Sequence, residues 1–220
     1  MRLPEGEAHH VLKVLRGRRG DALEIVDADR RLFAAALLDG KEAAILEALE
    51  APEEGGEISL YQAVPKGGRM DLVVEKATEV GMTRIVPLVT QRGIVEPGGG
   101  KVERWRRVAE AAARQSLRMG VPEVLGPLPF AEAARQAGEQ GILLHNAADL
   151  DPLEVMVDSP VSLFVGPEGG WSEEEMRLAG KAGLVFAQLG PYRLRSETAG
   201  MVAVARARVA LESRNVVERS

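Results

Sequence analysis

Residues 164–175 read FVGPEGGWSEEE. An apolar run ends at Val165, a Gly-Pro-Glu-Gly-Gly loop follows, and Ser172 stands where a helix would start. Ser172 and Glu175 have the Ser-x-x-Glu spacing of a capping box. Glu173, Glu174 and Glu175 fill the first turn, where the helix dipole stabilises anions. The stretch is therefore a strand, a glycine loop and a helix in direct succession. From residue 57 onward the same alternation recurs. EISLYQAVP, TRIVPLVT, ILLHN, VSLFV and LVFAQLG read as strands. RMDLVVEKATEVG, KVERWRRVAEAAARQSLRMG, FAEAARQAGEQG, SEEEMRLAGKAG and SETAGMVAVARARVALES read as helices. Apolar strands alternating with helices make a parallel sheet covered on both faces, so the fold class is α/β.

The first 50 residues follow another pattern. HHVLKVLRG reads as a short helix closed by Gly17, and DALEIVDADRRLFAAALLDGKEAAILEALE holds three short strand candidates between Asp and Gly turns. APEEGGE, residues 51–57, is the linker candidate, which divides the chain into 1–54 and 55–220. The whole has 220 residues, 45% hydrophobic and 28% charged, an ordinary balance for a globular protein. No apolar run approaches the ~20 residues that span a bilayer. The opening MRLPEGEAHH lacks an h-region, so a cytoplasmic protein is expected. There is no cysteine for a disulfide or thiolate metal site. His9, His10 and His145 do not make a zinc site by themselves, and no metal is expected. The net charge of −5 argues against a protein that binds nucleic acid over its whole surface, but leaves room for a local basic face. Arginine far outnumbers lysine, which fits a thermophile or a GC-rich genome equally.

In open parallel sheets ligands sit outside the carboxyl ends of the strands. Three such ends lie late in the chain: LHNAA (144–148), VGPEGGW (165–171) and LGPYRLRSET (189–198). Gly166, Gly169 and Gly170 let backbone approach a ligand closely. A phosphate would suit a helix N-terminus, but Glu168 and the three glutamates after Ser172 oppose it, and the lysine of a phosphate-binding P-loop is missing. The ligand should be neutral or cationic. S-adenosylmethionine, an adenosine with a sulfonium and no phosphate, fits; an ordinary tight turn into a capped helix would use the same residues. In the third loop Gly190 and Pro191 precede Arg193, Arg195 and Ser196, an N-cap candidate. The helix after it is small-sided at Ala199, Gly200, Ala203 and Ala205, which permits close backbone packing.

LFVGPEGGWSEEE followed about 20 residues later by LGPYRLRSETAGMVAVA resembles the closing motifs of the SPOUT methyltransferases of the RsmE family. These make N3-methyluridine in small-subunit ribosomal RNA. QAVPKGGRMDLVVEKATEVGMTRIVPLVTQRG and RWRRVAEAAARQS are similar to the family's other blocks, so the resemblance covers about 57–205. It implies a SPOUT-type parallel sheet ending in a trefoil knot, a homodimer, and a small PUA-like β-barrel over 1–54. That barrel's opening strand is expected to be short or absent, because EAHHVLKVLR comes so early. The implied cofactor is S-adenosylmethionine, leaving S-adenosylhomocysteine. Its implied contacts are Leu144, His145, Asn146, Val165, Gly166, Pro167, Glu168, Gly169, Gly170, Leu189, Gly190, Tyr192, Leu194, Arg195 and Thr198. The implied substrate is 16S ribosomal RNA, within the small subunit.

Methylation at N3 of uracil requires loss of a proton or stabilisation of charge on the ring carbonyls. Arginine stays protonated and suits the second role, so Arg195 is the electrostatic candidate. Glu197 is a base candidate, or a helix-start carboxylate held by the dipole. RNA would need a basic surface. Residues 101–118 carry six basic and two acidic side chains, and on a helix Arg104, Arg107, Arg114 and Arg118 would fall within about 80°. Lys66 and Arg69 in PKGGR, Arg92 in TQRG, and Lys13, Arg16, Arg18 and Arg19 in KVLRGRR complete the set. Such contacts position RNA without reading its sequence. Other readings of the same features are a SPOUT enzyme acting on a ribose 2′-oxygen or another base, a non-catalytic RNA-binding protein, and an ion-paired solvated helix face.

Overall fold

The structure is a computed structural model that describes residues 1–14, 16–39, 41–50, 55–93, 97–147 and 151–218. It divides into two compact units, Met1–Glu53 with Leu117–Gly120, and Glu54–Ser116 with Val121–Ser220. The first four linker residues (51–54), Ala148 of the LHNAA loop and the last two residues lie outside the described set.

In the first unit, helix α1 (Glu5–His9) runs on as a π turn, His10–Val14. Strands β1 (Ala22–Val26), β2 (Leu32–Asp39) and β3 (Glu42–Leu49) form an antiparallel sheet in that order. The β1–β2 turn is built on Asp27, whose carboxylate accepts from the N–H groups of Asp29 and Arg31 and pairs with the Arg31 guanidinium. Those hydrogen bonds hold the Asp27 carboxyl below its ordinary value. Leu3, Ala8, Ala35, Leu37 and Ala43 form a small core. Arg2 makes an isolated antiparallel bridge to Glu42.

The second unit runs β4 (Ile58–Ala63), α2 (Met70–Glu79), β5 (Arg84–Val89), α3 (Gly99–Gln115), β6 (Glu123–Val124), β7 (Leu128–Pro129) and α4 (Phe130–Ala137). It continues with β8 (Gly141–Leu144), α5 (Leu153–Met156), β9 (Val161–Val165), α6 (Glu173–Lys181), β10 (Val185–Ala187) and α7 (Ser196–Glu218). The strand order is β10-β8-β9-β4-β5-β6, with β7 also on β5, and every pairing is parallel. Alternation along the strands separates two cores. Ile58 and Leu60 of β4 and Val161, Leu163 and Val165 of β9 face α2, α3, α5 and α7. Tyr61 and Phe164 face α4 and α6, their rings stacked 4.5 Å apart.

Two features differ from the sequence reading. Helix α3 ends at Gln115, not near Gly120, because the Ser116 hydroxyl takes the Ala112 carbonyl and Leu117 turns to φ 53. Arg118 therefore lies off the helix and is no part of its arginine stripe. The short strands β6 and β7, and the one-turn α5, sit in Pro- and Gly-punctuated segments without periodicity long enough to read.

The chain leaves β10 at one edge of the sheet and returns as α7, which packs on α2, α5, β4 and β9. The exit is held on two sides. Ala187 O accepts from His145 N (2.9 Å), while Gln188 donates to Asp151 O and accepts from Leu153 N, both at 3.0 Å.

Candidate functional site at the carboxyl edge of the sheet

Because the sheet is parallel, the loops after β4, β5, β8, β9 and β10 open along one edge. The loop after β9 keeps its shape through three partners. Gly170 turns at φ 70 and donates to Pro167 O. The Trp171 indole donates to Leu144 O (3.0 Å), tying this loop to the end of β8. That ring lies 3.0 Å from where a Cβ on Gly166 would stand, so a side chain at 166 would press on the indole. The expected capping box on α6 is present: the Ser172 hydroxyl accepts from Glu175 N, and Glu175 Oε2 accepts from Ser172 N. The other oxygen of Glu175 accepts from Gln91 N at 2.9 Å. Glu175 is thus buried and taken up by backbone, leaving Glu173 and Glu174 as the exposed carboxylates of that turn.

Glu168 is not a free charge. It accepts from Lys66 N and lies 4.0 Å from the Arg69 guanidinium. Arg69 also stands 3.3 Å from Glu197 Oε1, joining the loop after β4 to the start of α7. Glu197 Oε2 is buried without a hydrogen-bond partner. Arg92, expected to contact RNA, is exposed and donates to the carbonyls of Gly169 and Trp171, bracing the glycine loop. A Cβ on Gly169 would meet the Arg92 Cβ at 3.2 Å. Ser196 does not act as the expected N-cap. Its hydroxyl turns inward, donating to Gly166 O (2.6 Å) and accepting from Gln62 Nε2 (3.0 Å).

At the loops after β8 and β10 opens a cleft of about 650 Å³ lined by Asn146, Gln188, Gly190, Tyr192, Arg193 and Arg206 among others. Gly190 adopts φ 114, a conformation suited to glycine. The N–H groups of Leu189, Gly190, Tyr192 and Arg193 meet no protein acceptor among the described residues. Of these residues, Gly190, Tyr192 and Arg193 line the cleft. Arg206 is neutralised by Glu154, which accepts from it at 2.6 Å. Burial raises the Glu154 carboxyl, but the hydrogen bonds and charge of Arg206 outweigh that and set it below its ordinary value.

Of the sequence-derived positions, Asn146, Gly190 and Tyr192 line this cleft together. Leu144 and Val165 lie in the core, and His145, residues 166–170, Leu189, Leu194, Arg195 and Thr198 are not among the residues that line the cleft. Arg195 is exposed and makes no ion pair among the described residues. On α3, Arg104 pairs with Asp71, while Arg107 and Arg114 are exposed. In the first unit Lys13, Arg16, Arg18 and Arg19 are exposed. Sequence reasoning missed Gln62, Trp171, Gln188 and Arg206. For Gln62 a signal existed: a lone amide inside the apolar strand EISLYQAVP.

Comparison with known proteins bears on this geometry. The RNA methyltransferase domain family matches residues 52–208. A ribosomal RNA small subunit methyltransferase E from Synechocystis sp. is 32% identical over 96% of this chain and 73% of its own length. A Legionella pneumophila methyltransferase solved in complex with the bound cofactor SAM is 32% identical, with a TM-score of 0.78 over 96% of this chain and 91% of that one. A Neisseria gonorrhoeae ribosomal RNA small subunit methyltransferase E bound to S-adenosyl methionine is 30% identical, with a TM-score of 0.79 over 95% and 91%. On these matches the chain belongs to the RNA methyltransferase family, in the group of ribosomal RNA small subunit methyltransferase E.

Proposed function

We propose that the chain is an S-adenosylmethionine-dependent methyltransferase that modifies N3 of a uridine in 16S ribosomal RNA. The observation that carries this reading is the cleft lined by Asn146 after β8 and Gln188, Gly190, Tyr192 and Arg193 after β10, with backbone N–H groups left unused in the second loop and Arg206 paired with Glu154. Two relatives of about 30% identity were solved with that cofactor.

Bound there, the cofactor supplies an electrophilic methyl group. The N–H groups of Leu189, Gly190, Tyr192 and Arg193, with the Asn146 amide, hold and orient it. Arg195 stabilises negative charge developing on the uracil carbonyls. Glu197 remains the base candidate, and its contact with Arg69 gives it a positioning role as well. Bringing the two reactants together in this geometry supplies ~7–11 kcal/mol of the barrier.

The hydrogen bonds that grip Ala187 and Gln188 from both sides support a trefoil knot, with α7 as the threaded segment. The first unit is read as the PUA-like barrel, with its exposed Lys13, Arg16, Arg18 and Arg19 as RNA contacts; in the second unit Lys66, Arg107 and Arg114 are read as RNA contacts too. The enzyme acts as a cytoplasmic homodimer on the small subunit.

The test is a calorimetric titration with S-adenosylmethionine beside ATP. Saturable binding of the first at ~1–100 μM, with none of ATP, is expected. Small-subunit RNA is then methylated and digested to nucleosides, and N3-methyluridine is the expected product. ATP binding without S-adenosylmethionine binding would overturn the cofactor reading; a 2′-O-methylnucleoside would move the target to the ribose.

A further inference from the structure

Gln62 is the polar residue of the central strand β4 that points into the α7-facing core. It continues the row of Ile58 and Leu60 and is fully buried. Its Nε2 donates to Ala63 O at 2.9 Å and to Ser196 Oγ at 3.0 Å. The Ser196 hydroxyl has one proton, and it goes to Gly166 O. The chain of donors therefore has a fixed direction, from the Gln62 amide through the Ser196 hydroxyl to the Gly166 carbonyl. Gly166 opens the glycine loop after β9, and Ser196 follows Arg195 at the start of α7.

The arrangement costs stability. Gln62 Oε1 is buried without a hydrogen-bond partner among the described residues, and an unpaired buried carbonyl is unfavourable. It also constrains α7, since a Cβ on residue 200 would lie 2.2 Å from Oε1. Gly200 is the residue that lets the helix pass. An aliphatic side chain of similar volume would avoid the orphaned oxygen and pack in the same row, and buried polar groups replaced by apolar ones of like shape are often neutral or stabilising. A position that carries a polar residue against its own stability is a candidate for a role in the site.

We propose that Gln62 is a positioning residue: acting through Ser196, it fixes the Gly166 loop and the Arg195 end of α7 in the relative placement that the cofactor site needs. This rests on the reading of those loops as the cofactor site.

The experiment compares the full chain with Gln62→Met, Ser196→Ala and the double variant. Each is measured for melting temperature, for S-adenosylmethionine affinity by calorimetry, and for kcat and KM of methyl transfer to small-subunit RNA. Gln62→Met is expected to melt at or above the parent temperature while its cofactor affinity falls at least tenfold. Ser196→Ala should weaken binding similarly. The double variant should be no worse than the weaker single variant, because both act through one chain of bonds. Where Gln62→Met does not fold, Ser196→Ala, which removes a single hydroxyl, decides the matter. Affinity and kcat/KM within twofold of the parent in folded variants would overturn the inference, as would strictly additive losses. A parent chain that fails to bind S-adenosylmethionine would overturn the cofactor reading itself, and the inference with it. The two failures are thus distinguishable.

Discussion

Glu175→Ala tests how the site's loops are held. The side chain is 2% exposed and accepts two backbone N–H groups, Ser172 N at 2.8 Å and Gln91 N at 2.9 Å. A hydrogen bond to a charged group contributes about 1.5–3 kcal/mol, and a buried donor left unpaired costs about as much. Gln91 itself is exposed, so water reaches its N–H more readily than that of Ser172, which lies in a buried turn. Taking the low end for Gln91 and the middle of the range for Ser172 gives a loss of about 3–4 kcal/mol. For a domain of this size, about 2–4 °C accompanies each kcal/mol, so melting should fall by about 6–16 °C. Glu175→Gln keeps the shape and one acceptor but sets an amide N–H against a backbone N–H; it should fall between the parent and alanine. The assay is urea unfolding followed by circular dichroism, with the slope checked for constancy so that the midpoint shift reads stability alone. A Glu175→Ala protein within 1 kcal/mol of the parent would refute the claim that this one carboxylate ties the loop after β5 to the cap of α6.

Arg195→Ala is expected to keep cofactor affinity within a few-fold and to lose turnover by about 10²–10³, the usual cost of one stabilising donor; unchanged kcat would remove Arg195 from the reaction. Gly200→Ala should destabilise by about 1–3 kcal/mol through overpacking against Gln62, and combining it with Gln62→Ala should cost less than the sum of the two single changes in a denaturant titration. Glu154→Gln probes the partner of Arg206. The Glu154 carboxyl is held below its ordinary value in the folded protein, so its contribution is present above the unfolded value and lost as pH falls through the folded one. The stability gap between parent and variant should therefore be full above about pH 5 and close at more acid pH. A gap that persists unchanged in acid would mean that packing, not charge, holds the pair.

The strands of the second unit were legible because a strand buried on both faces reads as an unbroken apolar run, as in ISLYQA and VSLFV, whose residues are all buried. The capping box on α6 was legible because it is a local pattern. What could not be read is what depends on the order of strands. Nothing local in the sequence says that β9 lies between β8 and β4, or that Gly166 faces Ser196 across thirty residues of chain. Ser196 looked like a cap because serine before a helix usually is one; its hydroxyl was drawn inward by a carbonyl and an amide that only the tertiary fold brings near. Arg92 and Glu168 likewise find partners in other loops, which no local pattern announces. These contacts share one cause, and they cluster where the strand ends meet. A reading based on local pattern goes wrong where long-range hydrogen bonds replace local ones, and here those bonds are concentrated on Gly166, Trp171, Glu175 and Ser196, the residues that shape the proposed cofactor loops.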